Sequence, residues 1–461
     1  MKWRRMIRAE ALLPFLLIFM VLSTVQLVKA SDPEVISRRD LVIVLGDGVE
    51  TDAQLTYPAI GDGPFPGVLL IAGSGSVDMN EFIPAPFTGT GEPSRPMLQV
   101  AEYLSARGYA VLRYNKRYVG LDGIILNPNI TRMPEVQVFI DDAGLALDVL
   151  ADQSEVDSDD LTLLGHSEGA IIALRLAVGG ANVRNVVLWA GVAEDARELL
   201  LWQLVSQRID YAEAELDVDR DGLLSVAEME AKMEGLARVP LVSPLPPQGV
   251  IYSAGDAYEW YPGLDADGDG YLSIHGELEP LLLQQFELYI SSDPESPYYD
   301  PWIQSHLELD SNLEVIGGVT AGILMLQGEG DAQTPYEAGL LLEQRLIEVG
   351  HPDHTLITYP GLGHTLSPVE GMLQPMGPVE GYVLGDLAAW LKDPARDLRG
   401  IVQRQQEDID EMGGRFDELE ADIRSSVETN RNLIYAVLGF TILVGVVAGF
   451  SFLRTRSRAM Q

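Results

Sequence analysis

Short apolar segments alternate with amphipathic segments through residues 31–192 and again through residues 319–395. The clearest apolar segments are PGVLLIAG (66–73), YAVLRYN (109–115), LTLLGH (161–166) and VRNVVLWAG (183–191). Strands that are apolar along their whole length are buried on both faces, which is typical of a parallel sheet covered by helices on two sides. The sequence therefore predicts the α/β class, with LVIVLGDG and DAQLTYP as a leading antiparallel pair.

The alternation stops between residues 193 and 318. This segment is helical in pattern and acidic, and it contains the Pro-rich run VSPLPPQG. An insertion of about 125 residues between the sixth and seventh strands is the simplest explanation of the break. We therefore predict one α/β core in two parts, 31–192 and 319–395, that carries an inserted lid, 193–318.

Apolar runs also lie outside this body. Four basic residues precede Ala11–Val28, and small residues follow it, so residues 1–30 are predicted to be a signal peptide, with an uncleaved N-terminal anchor as the alternative. Leu433–Leu453 holds no charge over 21 residues and is followed by three arginines in the tail 454–461. This pattern predicts a single transmembrane helix, with the body outside the cell membrane and the C-terminus in the cytoplasm.

Residues 396–432 differ from both neighbours. Their apolar positions are separated alternately by three and four residues: Ile409, Met412, Phe416, Leu419 and Ile423. This spacing predicts a coiled-coil stalk, and through it a homo-oligomer. The alternative is a single amphipathic helix that lies on the body.

The charge and cysteine content exclude several classes of function. The chain has 69 acidic and 31 basic residues and a net charge of −38, which argues against a nucleic-acid partner because phosphates would be repelled. It has no cysteine, so disulfides and thiolate metal sites are excluded. Nothing in the sequence indicates an organic cofactor. An extracytoplasmic protein without disulfides can recruit metal ions instead.

The stretch LTLLGHSEGA (161–170) joins a buried strand to a helix through G-x-S-x-G. Gly165 and Gly169 leave room for a sharp turn, and Ser167 would lie at a helix N-terminus, where developing negative charge is favoured. The backbone N–H of Glu168 would face a substrate oxyanion. A helix-capping serine without chemistry is the alternative.

A serine hydroxyl needs a base, and the base needs an acid. Among six histidines, His364 is the candidate because it follows the last strand in a glycine-bracketed loop, YPGLGHTL. Asp331 follows the seventh strand, at the same carboxyl edge of the sheet. Glu329 competes with it nearby, whereas Asp353 precedes its strand and belongs to the opposite edge.

The loop AGSGSVDMNE (72–81) follows the third strand and supplies the remaining part of the predicted site. Ser74 and Gly75 are candidate oxyanion donors, because small residues let the backbone approach a carbonyl oxygen. A phosphate-binding loop is the alternative, but the lysine of a P-loop is missing.

Together with LRYNKRYVG and LMLQGEGDAQTP, these motifs resemble the α/β-hydrolase superfamily, and more closely its esterase, dienelactone-hydrolase-like and serine-aminopeptidase-like branches. The resemblance covers roughly residues 41–191 and 319–392. It implies the α/β-hydrolase fold and a catalytic triad of Ser167, Asp331 and His364. The loop after the fourth strand departs from the family pattern, since Asn115 and Arg117-Tyr118 stand where Asp and Arg-Gly are usual, which leaves the role of this loop open.

Two acidic runs in the insertion resemble EF-hand calcium loops, with oxygen ligands at loop positions one, three, five, seven, nine and twelve. In DVDRDGLLSVAE these are Asp217, Asp219, Asp221, the Leu223 carbonyl, Ser225 and Glu228. In DADGDGYLSIHGE they are Asp265, Asp267, Asp269, the Tyr271 carbonyl and Ser273, with Glu277 one residue late. The second loop would close through Glu277 or bind calcium weakly through water, and pairing of the two loops is left open.

These observations lead to one expected function and two alternatives. We expect a membrane-anchored serine hydrolase that cleaves a small acyl ester under a calcium-stabilised lid. Cleavage of a short peptide or amide is the second choice, and a cell-surface binding protein on a retired hydrolase fold is the third. Asn129 begins a glycosylation sequon, which is a weak signal by itself.

Overall fold

The computed structural model describes residues 35–127, 129, 132–236, 250–254, 257–369 and 375–392. In chain order the strands are β1 (Ile36–Val44), β2 (Glu50–Pro58), β3 (Phe65–Ile71), β4 (Ala110–Tyr114), β5 (Val156–His166), β6 (Asn185–Trp189), β7 (Leu223–Ser225), β8 (Ile251–Ala254), β9 (Ala257–Trp260), β10 (Tyr271–Ser273), β11 (Gly322–Gly328) and β12 (His354–Tyr359). The α-helices are α1 (Pro96–Ser105), α2 (Val136–Ala151), α3 (Glu168–Val178), α4 (Ala196–Leu201), α5 (Gln207–Tyr211), α6 (Val226–Leu236), α7 (Glu279–Tyr289), α8 (Pro301–Leu307), α9 (Asn312–Val315), α10 (Tyr336–Glu348) and α11 (Gly381–Lys392).

Eight strands form the main sheet, in the order β1-β2-β4-β3-β5-β6-β11-β12. The β1–β2 and β2–β4 pairs are antiparallel, and all the pairs from β4 to β12 are parallel. The carboxyl ends of β3, β5, β6, β11 and β12 therefore meet at one edge. The loops that carry the candidate functional residues all leave from this edge.

Two apolar layers cover the sheet. On one face α2, α3 and α10 pack through residues such as Phe139, Ile172 and Leu342. On the other face α1 and α11 pack through residues such as Leu104 and Trp390. The strands between them are buried on both sides, as their continuous apolar sequences require. The predicted fold class, an α/β-hydrolase sheet with helices on both faces, is confirmed.

The segment between β6 and β11 forms a third apolar cluster of its own. Its first part is one uninterrupted helix from Ala196 to Leu216, in which α4 and α5 are each followed by a π-helical turn. The sequence pattern predicted a helical insertion, and this is incomplete, because β7 to β10 also form two small antiparallel sheets. Short strands of three or four residues are too brief to show a periodic pattern.

Several predicted segments lie outside the described residues: 1–30, 396–432, 433–453 and 454–461. Ile130 and Thr131 of the sequon lie outside them too. Within the part of the chain that is described, none of the helices combines the length and the apolar character that crossing a membrane requires.

Candidate active site

Ser167 lies on the sharp turn between β5 and α3, with φ 57° and ψ −118°. These angles are strained for a residue with a side chain, and such strain is concentrated at functional sites. A side chain on Gly165 would collide with the backbone of Gly169, and one on Gly169 would collide with the backbone of Ile71. The two glycines are therefore required by the close approach of the turn to itself and to β3.

Asp331 and His364 lie together at the carboxyl edge, on the loops after β11 and β12. The Nδ1 atom of His364 is 3.0 and 2.9 Å from the two carboxylate oxygens of Asp331. The backbone N–H groups of Gln333 and Thr334 donate to Oδ1 of Asp331 at 2.7 and 3.0 Å, which fixes the carboxylate. Since Nδ1 faces a carboxylate, it carries a proton, and Nε2 of a neutral His364 is left as the basic nitrogen.

The competing carboxylates occupy other positions. Glu329 accepts a hydrogen bond from Thr358 Oγ1 at 3.0 Å. Asp353 lies just before β12, at the amino edge of the sheet, where its backbone oxygen accepts from Ile323. The structure therefore brings only Asp331, among these three, onto the imidazole of His364.

The loop after β3 contacts the nucleophile turn directly. A Cβ placed on Gly73 would lie 3.4 Å from the Cβ of Ser167. Ser74 lines the same cavity as Ser167 and Glu168, whereas Gly75, with φ 91°, lines a separate cavity beside Lys116. Of the two predicted donors on this loop, the structure places Ser74 beside the nucleophile and Gly75 farther along.

A cavity of about 100 Å³ opens above Ser167. Its floor comes from the core, and most of its wall comes from the insertion. The apolar wall residues are Ile171, Val192, Ala196, Leu199, Leu200, Ile303 and Leu309, and four residues with carboxylates, Glu168, Glu194, Asp195 and Asp310, also line it. A cavity wall that combines apolar residues with placed polar groups is typical of a small-molecule site.

The side chain of Glu168 forms a buried polar cluster that the sequence analysis did not predict. Its Oε2 accepts from Lys116 Nζ at 2.6 Å, and its Oε1 accepts from Trp302 Nε1 at 2.5 Å and lies 3.2 Å from His306 Nε2. Burial alone would raise the pKa of Glu168, but Lys116 and His306 lower it to about 2. Because Trp302 and His306 belong to α8, Glu168 joins the insertion to the nucleophile turn.

A second buried cluster lies under the turn. Both carboxylate oxygens of Glu81 lie within 3.1 Å of His166 Nδ1, and the backbone oxygen of His364 accepts from His166 Nε2 at 3.1 Å. Burial alone would lower the pKa of His166 and raise that of Glu81, but the attraction between them reverses both shifts. The sequence favoured His364 over the other five histidines, His166 among them, and no local spacing marks Glu81 as the partner of His166.

The loop after β4, whose role the sequence left open, is held by charge pairs and a side-chain acceptor. Asn115 Oδ1 accepts from the Met79 backbone at 2.7 Å. Arg117 donates to both carboxylate oxygens of Asp142 and to Asp47, and these hydrogen bonds raise the pKa of the guanidinium. The unusual residues of this loop therefore connect β4 to α2 and to the loop after β3.

In the insertion, the two acidic loops lie side by side. β7 pairs with β10 in antiparallel register, with Leu224 opposite Leu272. In the first loop, one oxygen from each of Asp217, Asp219 and Asp221 lies within 4.8 Å of the others, and the same holds for Asp265, Asp267 and Asp269 in the second. Leu223, Ser225, Tyr271 and Ser273 all lie on the paired strands. The pairing that the sequence left open is present.

Glu228 and Glu277 make equivalent contacts in the two loops. Glu228 accepts from the backbone N–H groups of loop positions two and nine, Val218 at 2.9 Å and Ser225 at 2.8 Å. Glu277 accepts from the same positions of its loop, Ala266 at 2.7 Å and Ser273 at 2.9 Å. The helix after the second loop opens with a π-turn, Ile274–Leu278, which accommodates one additional residue. Glu277 thereby reaches the position that Glu228 holds in the first loop.

Comparison with known proteins gives a family match and an esterase relative, each over part of the chain. Residues 86–262 match the family described as serine aminopeptidase, S33. Esterase EstD from Thermotoga maritima is 31% identical over 173 residues, which are 38% of this chain and 37% of that esterase, so the match spans well under half of its relative's length.

Two solved structures align with this chain over most of its length. Est1E from Butyrivibrio proteoclasticus is 15% identical, with a TM-score of 0.39, and the alignment covers 77% of this chain and 98% of that one. The acylaminoacyl peptidase from Pyrococcus horikoshii is 12% identical, with a TM-score of 0.40, and the coverage is 78% and 40%. The family match in sequence contains Ser167 and ends before Asp331 and His364, so the acid and the base rest on the geometry described above.

Proposed function

We propose that this chain, which belongs to the α/β-hydrolase superfamily, is a serine hydrolase that cleaves a small acyl ester. The observation that carries the proposal is the contact of Asp331 with Nδ1 of His364, beside the strained turn that holds Ser167. An acid, a base and a partly exposed nucleophile in the order Ser, Asp, His suit acyl transfer through a covalent intermediate.

The reaction follows from these positions. His364 Nε2 takes the proton of Ser167 as its Oγ attacks the acyl carbonyl carbon, and Asp331 stabilises the imidazolium that forms. The backbone N–H groups of Glu168, the first residue of α3, and Ser74 stabilise the oxyanion. His364 then returns the proton to the leaving alcohol, the acyl group stays on Ser167, and a water molecule hydrolyses that ester by the same steps.

A fluorophosphonate probe tests the nucleophile. We expect one probe molecule per chain, complete loss of labelling in Ser167→Ala, and unchanged labelling in Ser154→Ala, an exposed serine at the opposite edge. Well-folded wild-type protein that takes up no probe would contradict the enzyme proposal and favour the alternative of a binding protein on a retired hydrolase fold.

Glu194 favours a second candidate, an amidase or peptidase that accepts a substrate with a free amine. This carboxylate lines the cavity above Ser167, and within the described residues no Lys, Arg or His pairs with it. Burial, together with the nearby charges of Glu198 and Asp195, raises its pKa. A substrate ammonium group would relieve this repulsion.

A paired substrate screen separates the two candidates. Acyl p-nitrophenyl esters and aminoacyl p-nitroanilides should be compared in the wild type and in Glu194→Gln. The ester proposal expects the esters to be preferred and their KM to be unchanged by Glu194→Gln. A KM that rises for the aminoacyl substrates alone would support the peptidase.

We also propose that the paired acidic loops bind two calcium ions, which would stabilise the lid. The donors of the first site would be Asp217, Asp219, Asp221, the Leu223 carbonyl, Ser225 and Glu228, and those of the second Asp265, Asp267, Asp269, the Tyr271 carbonyl, Ser273 and Glu277. Hard carboxylate and carbonyl oxygens are the ligands that calcium prefers. Desolvation and repulsion from the charges of Asp221 and Glu228 raise the pKa of Asp219. A bound cation would remove this repulsion.

Calorimetric titration with calcium tests these sites without any substrate. We expect two sites in the wild type, one in Glu228→Gln and one in Glu277→Gln, and two in the control Glu230→Gln, an exposed carboxylate outside the loops. The melting temperature of the wild type should rise with calcium. Heat of binding that is identical in all four proteins would overturn the assignment.

The location of the protein is a further proposal, which rests on the sequence alone. We propose a single-pass membrane protein, with the hydrolase outside the cell, the tail 454–461 in the cytoplasm, and the stalk 396–432 joining copies of the chain. Membrane fractions should retain the full chain after alkaline extraction. Phe416→Glu with Leu419→Glu should lower the mass of the detergent-solubilised assembly if the stalk is a coiled coil.

A further inference from the structure

Glu81 is connected by hydrogen bonds to the three segments that carry the proposed oxyanion donor, nucleophile and base. Its Oε1 accepts from the backbone N–H of Gly73 at 2.5 Å, at the start of the loop that carries Ser74. The same carboxylate holds the ring of His166, the residue before Ser167, at 3.0 Å. Through His166 Nε2 the contact extends to the backbone oxygen of His364.

The hydrogen-bond donors and acceptors fix the charge state of this cluster. A backbone carbonyl can only accept, so Nε2 of His166 carries a hydrogen. An ionised Glu81 can also only accept, so Nδ1 carries the second hydrogen, and the ring is an imidazolium. The directions of the pKa shifts of both groups agree with this state. Among the described residues, the titratable groups around the ring are Glu81, His364, whose ring centroid lies 4.6 Å away, and, farther away, Asp331.

The cluster is closely packed as well as buried. Glu81 and His166 are each 5% exposed, and Glu81 itself has a left-handed backbone with φ 51°. The ring of His166 packs against that of Trp189, with centroids 4.4 Å apart, and Trp189 Nε1 donates to the same His364 oxygen at 3.1 Å. A strained residue that is held this firmly indicates a functional constraint rather than a relaxed loop.

We propose that the Glu81–His166 ion pair is a positioning device. It fixes the relative positions of the loop after β3, the turn that carries Ser167 and the loop that carries His364. This inference rests on the proposed serine hydrolase function. Neither residue touches the substrate. Glu81 acts through the backbone of Gly73, and His166 acts through the backbone of His364, so that Ser74 and the imidazole keep their places relative to Ser167.

Substitutions of Glu81 test the role in turnover. In Glu81→Ala, kcat should fall roughly 100-fold, the effect expected when reacting groups move by about 1 Å, while KM changes little. Glu81→Gln keeps an acceptor for Gly73 and a partner for His166, and it should restore most of the lost kcat. The control Glu155→Ala removes a similar ion pair, with Arg39 at the opposite edge, and should leave kcat unchanged.

Histidine side-chain NMR gives a readout that does not depend on activity. The chain has six histidines, so a selectively ¹⁵N-labelled sample is tractable, and His166→Asn assigns the signal. We expect His166 to stay doubly protonated from pH 5 to pH 9 in the wild type and to become a neutral Nε2–H ring in Glu81→Gln.

Either arm can overturn the proposal. Wild-type kcat in Glu81→Ala, or a neutral His166 at pH 7 in the wild type, would contradict it. If Glu81→Ala does not fold, Glu81→Gln and the NMR arm still decide. The NMR arm uses no substrate, so its result is independent of fluorophosphonate labelling. The labelling experiment tests the proposed function itself.

Discussion

The two sides of Ser167 handle charge in opposite ways. Beneath it, in the core, buried charges are closed into pairs, such as Glu81 with His166 and Glu168 with Lys116. Above it, in the insertion, carboxylates are gathered in groups, and within the described residues no Lys or Arg forms a salt bridge with the aspartates of the two loop clusters. The buried charges of the core side are therefore neutralised by protein partners, whereas the insertion side holds the carboxylate groups for which calcium binding is proposed above.

The largest effect on kcat is expected at Asp331, the proposed acid of the triad, which lies on the core side. Asp331→Asn leaves the shape of the site intact but removes the charge that orients His364, so kcat should fall roughly 10⁴-fold. Asp353→Asn, at the opposite edge, is the control and should keep wild-type kcat. Steady-state kinetics on the best ester substrate measures both, and equal losses in the two variants would refute the assignment of the acid.

Breaking a buried salt bridge in the core should lower the free energy of unfolding more than breaking a half-exposed salt bridge in the insertion. Lys116→Met leaves Glu168 buried with His306 and Trp302 but without its lysine, and it should destabilise the fold by roughly 3–5 kcal/mol. Lys232→Met removes a half-exposed pair with Glu215 in the insertion and should change the stability by less than about 1 kcal/mol. Urea unfolding of both variants gives the values, and similar losses would remove the distinction between the two sides.

The same buried carboxylate predicts how acid weakens the protein. The pKa of Glu168 is lowered from 4.5 to about 2, so its contribution is present above pH 4.5 and is lost as the pH falls towards 2. The free energy of unfolding of the wild type should therefore drop across this window by about 3 kcal/mol more than that of Glu168→Gln. Unfolding curves between pH 5 and pH 2 measure the difference. A constant gap between the two proteins would contradict the lowered pKa.

The smallest expected effect is at the contact between the two sides. Gln203 and Gln207, on the long helix of the insertion, donate to the backbone oxygens of Gln333 and Ala332, next to Asp331. Because a neutral hydrogen bond contributes about 1 kcal/mol, Gln207→Ala should lower kcat by a factor of about five. Gln137→Ala, on the outer side of α2, should have no effect. Unchanged kcat in Gln207→Ala would mean that the insertion does not help to hold the acid.

The fold and the candidate triad could be predicted because both follow from position along the chain. Apolar strands alternate with helices, and parallel strands end at a common edge, so residues that follow β5, β11 and β12 must meet there. This reasoning reached Ser167, Asp331 and His364 without any knowledge of distances.

The supporting contacts could not be predicted, because no local spacing encodes them. Glu81 and His166 are 85 positions apart, and Trp302 lies 134 positions beyond Glu168. His166 does not line the cavity above Ser167, and its contact with the backbone oxygen of His364 spans 198 positions. The extra residue before Glu277 looked like a defect in the second loop, because a π-turn leaves no mark in the sequence.

The adjacency of β6 and β11 also sets the order in which the protein can assemble. Asn185 pairs with Gly322, 137 positions later, so the ribosome must finish the whole insertion before β6 gains this neighbour. At roughly 5–20 residues per second, that interval is on the order of ten seconds or more. Throughout it the nascent chain contains Ser167 but lacks Asp331 and His364. Under the proposed function, Ser167 can therefore act as a nucleophile only after the last fifth of the body has been synthesised.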